Sequence, residues 1–304
     1  MIIAGPTASG KTSLAIDLAA RLNAELVGAD SMQLYKYMNV GTDTPKEDEL
    51  GGIAHHLVSF VEPDDSYDVA RFMSDADAVI RNITARKKRA IVVGGTGLYI
   101  RILLKGLQAA PPPDRQLRKE ITKEAKTSSW QTLHNELKIH DPITAARLHP
   151  NDSVRILRAV EVLRQSGKPI SQWQKEHAFR QRRYPSLFLV TDKPREELYR
   201  RINSRVDQMM KQGFLDEVKN LLERGYPSTL KSMQALGYKH LCEHIENDLP
   251  IYEAIEKTKT DTRRFAKRQQ NWFKNEAEAQ KISHNIDEIH HRAAIFFEEQ
   301  ECIN

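Results

Sequence analysis

Several classes of protein are excluded by what this 304-residue chain lacks. No stretch approaches the roughly 18 consecutive apolar residues that a membrane-spanning helix needs. The opening "MIIAGP" carries no basic n-region and no small-residue cleavage site, so no secretory signal is expected there. Cysteine is confined to Cys242 and Cys302. Two such residues make neither a disulfide framework nor a zinc site, and they suit a reducing cytoplasm. The pairs His55-His56 and His290-His291 have no metal-ligand companions at plausible spacing. They read as a structural strand-end pair and a solvent-facing pair. Internal repeats and low-complexity tracts are absent too.

Against this background stands "GPTASGKTSLA", Gly5 to Ala15. Gly5, Pro6, Thr7, Ala8, Ser9, Gly10, Lys11 and Thr12 fit the phosphate-cradling loop G-x4-G-K-[ST] at every position. "MIIA" supplies an apolar strand before it, and Leu14, Ala15, Leu18, Ala19 and Leu22 recur at helical spacing after it. Glycines let the backbone curl so that successive N–H groups face one anion. The helix N-terminus adds partial positive charge, Lys11 adds a full one, and the Thr12 hydroxyl can ligate Mg2+. A phosphorylated ligand is therefore expected.

One absence bears on which ligand it is. A nucleotide hydrolase or motor pairs this loop with an apolar strand ending in Asp, which helps to hold the Mg2+ shell. Here the corresponding strand, "RAIVVGGTGLYI", ends in Gly94-Gly95-Thr96 with no acid. The acid stands instead in "ELVGADSMQLY", where Asp30 follows the second strand. Ligands of open parallel sheets bind beyond the carboxyl ends of the strands, so Asp30 and Thr96 should share the rim with the loop. Asp30 then has two readings, a helix cap or a catalytic carboxylate.

Apolar runs alternating with helical patterns ("MIIA", "AELVGAD", "HHLVSF", "AIVVGG" and later "LFLV") predict an α/β fold with a parallel sheet. The long gap before "LFLV" begins at "AAPPPD", whose three prolines make a stiff extended joint. Residues 1–114 and 186–304 are read as the two parts of one core. Residues 115–185 are read as an all-helical insertion, and everything after Val190 as helical. Acid is also scarce in two segments of this chain of net charge +5. From Val154 to Tyr184, eight basic residues, Arg155, Arg158, Arg180 and Arg183 among them, face only Glu161 and Glu176. At about 100° per residue, Arg263, Arg264, Lys267, Arg268, Asn271 and Lys274 share one face of a basic helix at 259–274, and Phe265, Ala266, Trp272 and Phe273 share the other. The tail beyond is acidic. So much unpaired positive charge implies more phosphates than one nucleotide carries, and a polynucleotide fits better.

The motifs "GPTASGKT", "DSMQLY", "VGGTGLYIRILLKGL", "DPITAARLHPNDSVRILRAVEV", "ALGYKH" and "TRRFAKRQQNWF" together resemble the tRNA dimethylallyltransferase (tRNA isopentenyltransferase) family, in its bacterial form. The match runs in order from Gly5 to about Lys274, and only its first motif is shared with unrelated phosphate-loop proteins. The resemblance implies a kinase-like P-loop core with an inserted helical domain. It also implies transfer of a dimethylallyl group from dimethylallyl diphosphate to N6 of the adenosine just 3′ of the anticodon, with Mg2+. Carried over by motif, the loop Gly5 to Thr12 holds the isoprenoid diphosphate, with Thr12 on the metal and Arg263 as a candidate for steadying the diphosphate. Asp30 is the candidate general base. Asp30, Ser31, Met32, Gln33, Thr96 and Arg118 meet tRNA. So do Val154, Arg155, Ile156, Leu157 and Arg158, together with Gln234, Ala235, Leu236, Gly237, Tyr238 and Lys239. Lys267, Arg268, Gln269, Gln270, Asn271, Trp272, Phe273 and Lys274 complete the RNA set.

Two departures stand out. "NVGTDTPK" carries Thr44 where many relatives have Lys before the proline, and the chain lacks the cysteines of the RNA-binding zinc finger that some eukaryotic members add. A cytoplasmic monomer without membrane contact is expected. The competing readings are an ATP-binding small-molecule or nucleoside kinase on the same core, and a non-catalytic RNA-binding module.

Overall fold

In a computed structural model the chain is described at residues 1–177, 182–282 and 285–302. Arg180, counted above in the first basic segment, lies outside the described residues. The chain forms two compact units, residues 1–104 with 183–304, and residues 105–182. These joints, 104/105 and 182/183, differ from the 114/115 and 185/186 that the sequence predicts.

The first unit begins with β1 (Ile2–Ala4), α1 (Lys11–Leu22), β2 (Ala24–Gly28), the single-turn α2 (Glu47–Leu50) and β3 (His55–His56). It continues through α3 (Val69–Ala85), β4 (Arg89–Gly94) and α4 (Gly97–Lys105). The second unit holds α5 (Arg115–Thr127), α6 (Trp130–His140), α7 (Pro142–Arg147), α8 (Ser153–Ser166) and α9 (Ile170–His177). The chain returns to the first unit with β5 (Phe188–Thr191), α10 (Arg195–Lys211), α11 (Phe214–Glu223), α12 (Tyr238–Asn247), α13 (Ile251–Lys274), β6 (Gln280–Ile282) and α14 (Ile286–Glu301).

All strands are parallel, in the order β3-β2-β4-β1-β5-β6. Side chains alternate between the faces of a strand, and both faces are buried here, which is why the strands read as continuous apolar runs. Ile3, Leu26, Ile91, Val93 and Leu189 meet Leu14, Leu18 and Leu22 of α1 and Ile289 and Phe297 of α14. Ile2, Ala4, Val27, Val92 and Val190 face the other way, toward Phe72, Tyr99, Phe214, Tyr238 and Phe273.

Two expectations need correction. "HHLVSF" contributes only the two-residue β3. Its His56 Nε2 lies 2.8 Å from the Glu25 carboxylate. Burial pushes the neighbouring His55 imidazole down to about 4, which keeps it neutral. The chain after Val190 is not wholly helical either, because β6 adds the last strand at one edge beside β5. Only Ile282 of "QKI" is buried, so the segment carries no apolar run to reveal it.

Among the described residues of the second unit every regular element is a helix. Ile121, Leu133, Leu137, Ile156 and Val160 form its core. Asp114, Ser129, Asp141 and Asp152 cap α5, α6, α7 and α8, each accepting hydrogen bonds from first-turn N–H groups. Gly167 ends α8 in the left-handed conformation (φ 66°).

Candidate active site

The sheet register builds the site. Ala4 of the central β1 lies abreast of Gly94 on one side and Val190 on the other. The chain segments leaving β1, β4 and β5 therefore reach the same rim, and β2 adds Asp30 beside them. Gly5 adopts φ 155°, and a Cβ there would come within 2.3 Å of Thr191 Oγ1. The loop can turn only because that side chain is missing. Ser9 Oγ and Thr191 Oγ1 are 2.6 Å apart and pin the loop to the end of β5.

Gln269 of α13 completes the cradle. Its Oε1 accepts from Thr7 N at 2.9 Å, and its Nε2 donates to Gly95 O at 2.9 Å. One buried amide thus ties the phosphate loop to the end of β4. Among the described residues Lys11 Nζ, at the start of α1, donates only a long 3.4 Å bond to Pro6 O. Burial pushes its ammonium down to about 8; Asp30 opposes this, Arg205 adds to it and Asp43 opposes it. A cation held so, against a ring of N–H groups, has unspent capacity for an anion.

A turn follows Asp30, so of its two readings the helix cap becomes a turn cap. Its Oδ1 accepts from Met32 N at 2.9 Å. Thr96 fixes the same turn, its Oγ1 accepting from Ser31 N at 2.9 Å, while Thr96 N donates to Ala29 O at 3.1 Å. A Cβ on Gly94 would come within 2.1 Å of the Ala29 backbone, so the close approach of β2 to β4 needs glycine. The carboxylate that could act as a base and the lysine of the loop are thereby held on one rim.

Arg205, which the motif reading missed, also reaches this rim from α10. Its Nη1 donates to Thr7 Oγ1 at 2.6 Å and its Nη2 to Thr42 O at 3.2 Å. Arg263 sits farther back, its Nη1 donating to Asn203 Oδ1 at 2.7 Å and its Nη2 to Thr260 Oγ1 at 2.9 Å. These bonds tie Arg263 to protein partners. Among the described residues Arg205 is the arginine hydrogen-bonded to the phosphate loop.

The RNA candidates divide by burial. Ile156, Tyr238, Gln269 and Phe273 are buried and offer no surface to a polynucleotide; their place is in the cores and the cradle. Arg118 and Arg158 both clamp the fully buried Glu161 carboxylate, at 2.8 and 2.6 Å. Burial alone would raise the Glu161 pKa, but these two arginines and the Asp114 N–H outweigh it and hold it low. The two arginines thus act within the second unit's own fold. Gln33 holds the carbonyls of Thr42 and Asp43, Lys239 pairs with Asp261 at 2.9 Å, and Gln270 donates to Asp192.

The expected shortage of acid is also corrected. Arg164 pairs with Glu124 and Glu136, Lys168 with Glu176, and Arg183 with Asp77. These acids lie outside the basic run, save Glu176, and folding brings them in. In the second unit Val154 and Arg155 remain exposed at the start of α8, and Leu157 packs against the core. On α13, Lys267, Arg268, Asn271 and Lys274 are exposed. Among the described residues Lys267, Arg268 and Lys274 form no ion pair. Trp272 lies against Gly97, under the Arg101 guanidinium at 4.2 Å. Gln234 is exposed, and Ala235 and Leu236 are half-buried.

The model of the IPP transferase family matches residues 33–276, and that of isopentenyl transferase matches residues 1–59. The chain belongs to the IPP transferase family. A tRNA dimethylallyltransferase of Syntrophobacter fumaroxidans is 45% identical over 278 residues, covering 91% of this chain and 81% of the relative. The tRNA dimethylallyltransferase of Geobacter sulfurreducens is 44% identical over 98% of this chain and 96% of its own. Among solved structures, the tRNA isopentenylpyrophosphate transferase of Bacillus halodurans superposes with a TM-score of 0.73 at 35% identity, over 99% of this chain and 97% of that one. A eukaryotic dimethylallyltransferase acting on tRNA gives 0.76 at 31% identity, over 90% and 69% of the two chains. The family settles the fold expected from the sequence, a P-loop-type parallel sheet with surrounding helices. It disfavours the kinase reading.

Proposed function

We propose that the chain is a prenyltransferase that moves a dimethylallyl group from dimethylallyl diphosphate to N6 of the adenosine just 3′ of the anticodon in tRNA. The observation that carries this reading is the family match over most of the chain, joined to a phosphate loop faced by Asp30. The loop N–H groups, Lys11 and Arg205 hold the diphosphate. As the C1–O bond breaks, the leaving diphosphate keeps the electron pair, and these fixed positive groups stabilise the developing charge. The N6 lone pair forms the new N–C1 bond. It is delocalised into the adenine ring, so the amine is a poor nucleophile and must lose a proton, which Asp30 accepts.

Thr12 is the residue that would hold Mg2+, which when bound supplies further neutralisation of the leaving diphosphate. No group of three His, Cys, Asp or Glu residues among those described forms a ready-made metal cage. A single hydroxyl fits Mg2+ well, since this ion keeps several waters and takes its other oxygens from substrate phosphates. The adenine must leave its stack to reach Asp30, and a single-stranded loop makes that inexpensive. The exposed Arg155, Lys267, Arg268 and Lys274 bind RNA phosphates. Among the described residues no helix is long and apolar enough to cross a membrane. A tRNA substrate calls for an enzyme in the cytoplasm, and the reading needs one copy of the chain.

The test is incubation with unmodified tRNA, dimethylallyl diphosphate labelled in the prenyl group, and Mg2+. Label should enter the RNA. No label in RNA, with phosphate transfer from ATP instead, would return the assignment to a kinase. RNA binding that persists without any transfer would favour the non-catalytic module.

A further inference from the structure

The segment "NVGTDTPK" is not absorbed by the chemistry above, yet the structure ties it down at both ends. At one end stands Glu217, in the first turns of α11. Its Oε2 accepts from Asn39 N at 2.8 Å and Val40 N at 2.7 Å. Its Oε1 accepts from Gly41 N at 3.0 Å and from the Tyr238 hydroxyl at 2.7 Å. Three successive backbone N–H groups converging on one carboxylate form an anion nest, and here the anion belongs to the chain itself. The fit is close. A Cβ on Gly41 would come within 2.2 Å of the Phe214 ring and 2.6 Å of Tyr238.

At the other end the loop meets Arg205. The Thr42 carbonyl accepts from Arg205 Nη2 at 3.2 Å, and Asp43 Oδ2 lies 3.3 Å from Arg205 Nε. The remaining edge of the same guanidinium donates to Thr7 Oγ1 of the phosphate loop at 2.6 Å. Bonds within the loop stiffen the link. Thr44 N donates to Asn39 O at 3.0 Å, and the hydroxyls of Thr42 and Thr44 lie 2.8 Å apart. Thr44 thus serves the loop's own bonding.

We propose that Glu217 is a positioning residue for diphosphate binding. By gripping Asn39 to Gly41 it fixes the carbonyl of Thr42 and the carboxylate of Asp43, and these aim Arg205 at the phosphate loop. The proposal rests on the reading that Arg205 is a diphosphate ligand. The carboxylate form is required, because both oxygens accept. Glu217→Gln would set an amide N–H against backbone N–H donors whichever way it turned.

A double-mutant cycle decides the matter. Dimethylallyl diphosphate affinity by calorimetry, single-turnover rate and tRNA affinity are measured for wild type, Arg205→Ala, Glu217→Gln and the double variant. Glu217→Gln should weaken diphosphate binding roughly tenfold, the size of one misplaced charge-assisted hydrogen bond, and leave tRNA affinity within about twofold. The double variant should be no weaker than Arg205→Ala alone, since contacting residues in one network are not additive. Asp43→Ala removes the loop's ion pair with Arg205, together with a weaker electrostatic influence on Lys11, and stands in if Glu217→Gln does not fold. It too should lose nothing further when combined with Arg205→Ala. Additive losses, or a folded Glu217→Gln with unchanged diphosphate affinity, would overturn the proposal. An Arg205→Ala variant that binds diphosphate normally would instead overturn the role of Arg205 on which the proposal rests.

Discussion

Lys11 is held where charge is costly, and that cost is a measurable property of the site. Its ammonium sits at about 8 in the free protein because of burial, while Asp30 partly restores it. A bound diphosphate favours the charged form and raises this value. Below about pH 8 the lysine is charged in both states, and affinity should be flat. As pH rises through 8, binding must also take up a proton, so affinity should fall toward tenfold per pH unit until the bound form titrates. Calorimetry with dimethylallyl diphosphate between pH 7 and roughly 9.5 measures this. A Lys11→Ala control, which should stay folded and lose transfer, removes the ligand's own titration. An unchanged slope in that control would detach the effect from Lys11. Asp30 offers a second test at this scale. Asp30→Asn keeps the 2.9 Å cap to Met32 N but loses the basic carboxylate. The single-turnover rate should fall by about 10^2 to 10^4 with both substrates still bound within a few-fold. A rate within a few-fold of wild type would leave Asp30 as a turn cap only.

Along α8 two arginines one turn apart have different work, and sequence spacing alone does not separate them. Arg155 is exposed beside Asp152, whereas Arg158 faces the buried Glu161 together with Arg118. Arg155→Ala should weaken tRNA binding and flatten its log–log salt dependence by roughly 0.7 to 0.9, with little change in melting temperature. Arg158→Ala should instead destabilise the second unit, by up to about 3 kcal/mol, because a buried carboxylate loses one of its partners. The sign with pH follows from the lowered Glu161 pKa. Its contribution is present above the ordinary carboxylate range and is lost as pH falls through the folded value. Thermal melts and salt-dependent tRNA titrations of the two variants separate these roles, and equal effects in both assays would contradict the division. The basic runs were legible in the sequence, but their neutralisation was not. Glu124, Glu136 and Asp77 lie far along the chain from Arg164 and Arg183, and only the fold brings them together. Burial of Gln269 on α13 was hidden in the same way, because a helical wheel does not show that a polar residue has two backbone partners waiting.

For the whole molecule, the phosphate loop and the apolar strands β1, β2, β4 and β5 were legible because strands buried on both faces cannot hide their composition. β6 was not, since an edge strand with one buried residue has no pattern. Arg205 and Glu217 belong to no short motif. Their placement depends on α10 and α11 returning to the rim after the helical insertion, which is a property of topology. That rim supports one claim above the others: the loop holds an isoprenoid diphosphate, and the chain delivers its prenyl group to a single adenine. The most direct measurement is mass spectrometry of nuclease fragments of tRNA after reaction with dimethylallyl diphosphate and Mg2+. The account predicts one added dimethylallyl group per tRNA, on the adenosine just 3′ of the anticodon, and none with Lys11→Ala. Unmodified tRNA after reaction with folded wild-type protein, or prenyl groups scattered over several adenosines, would contradict it.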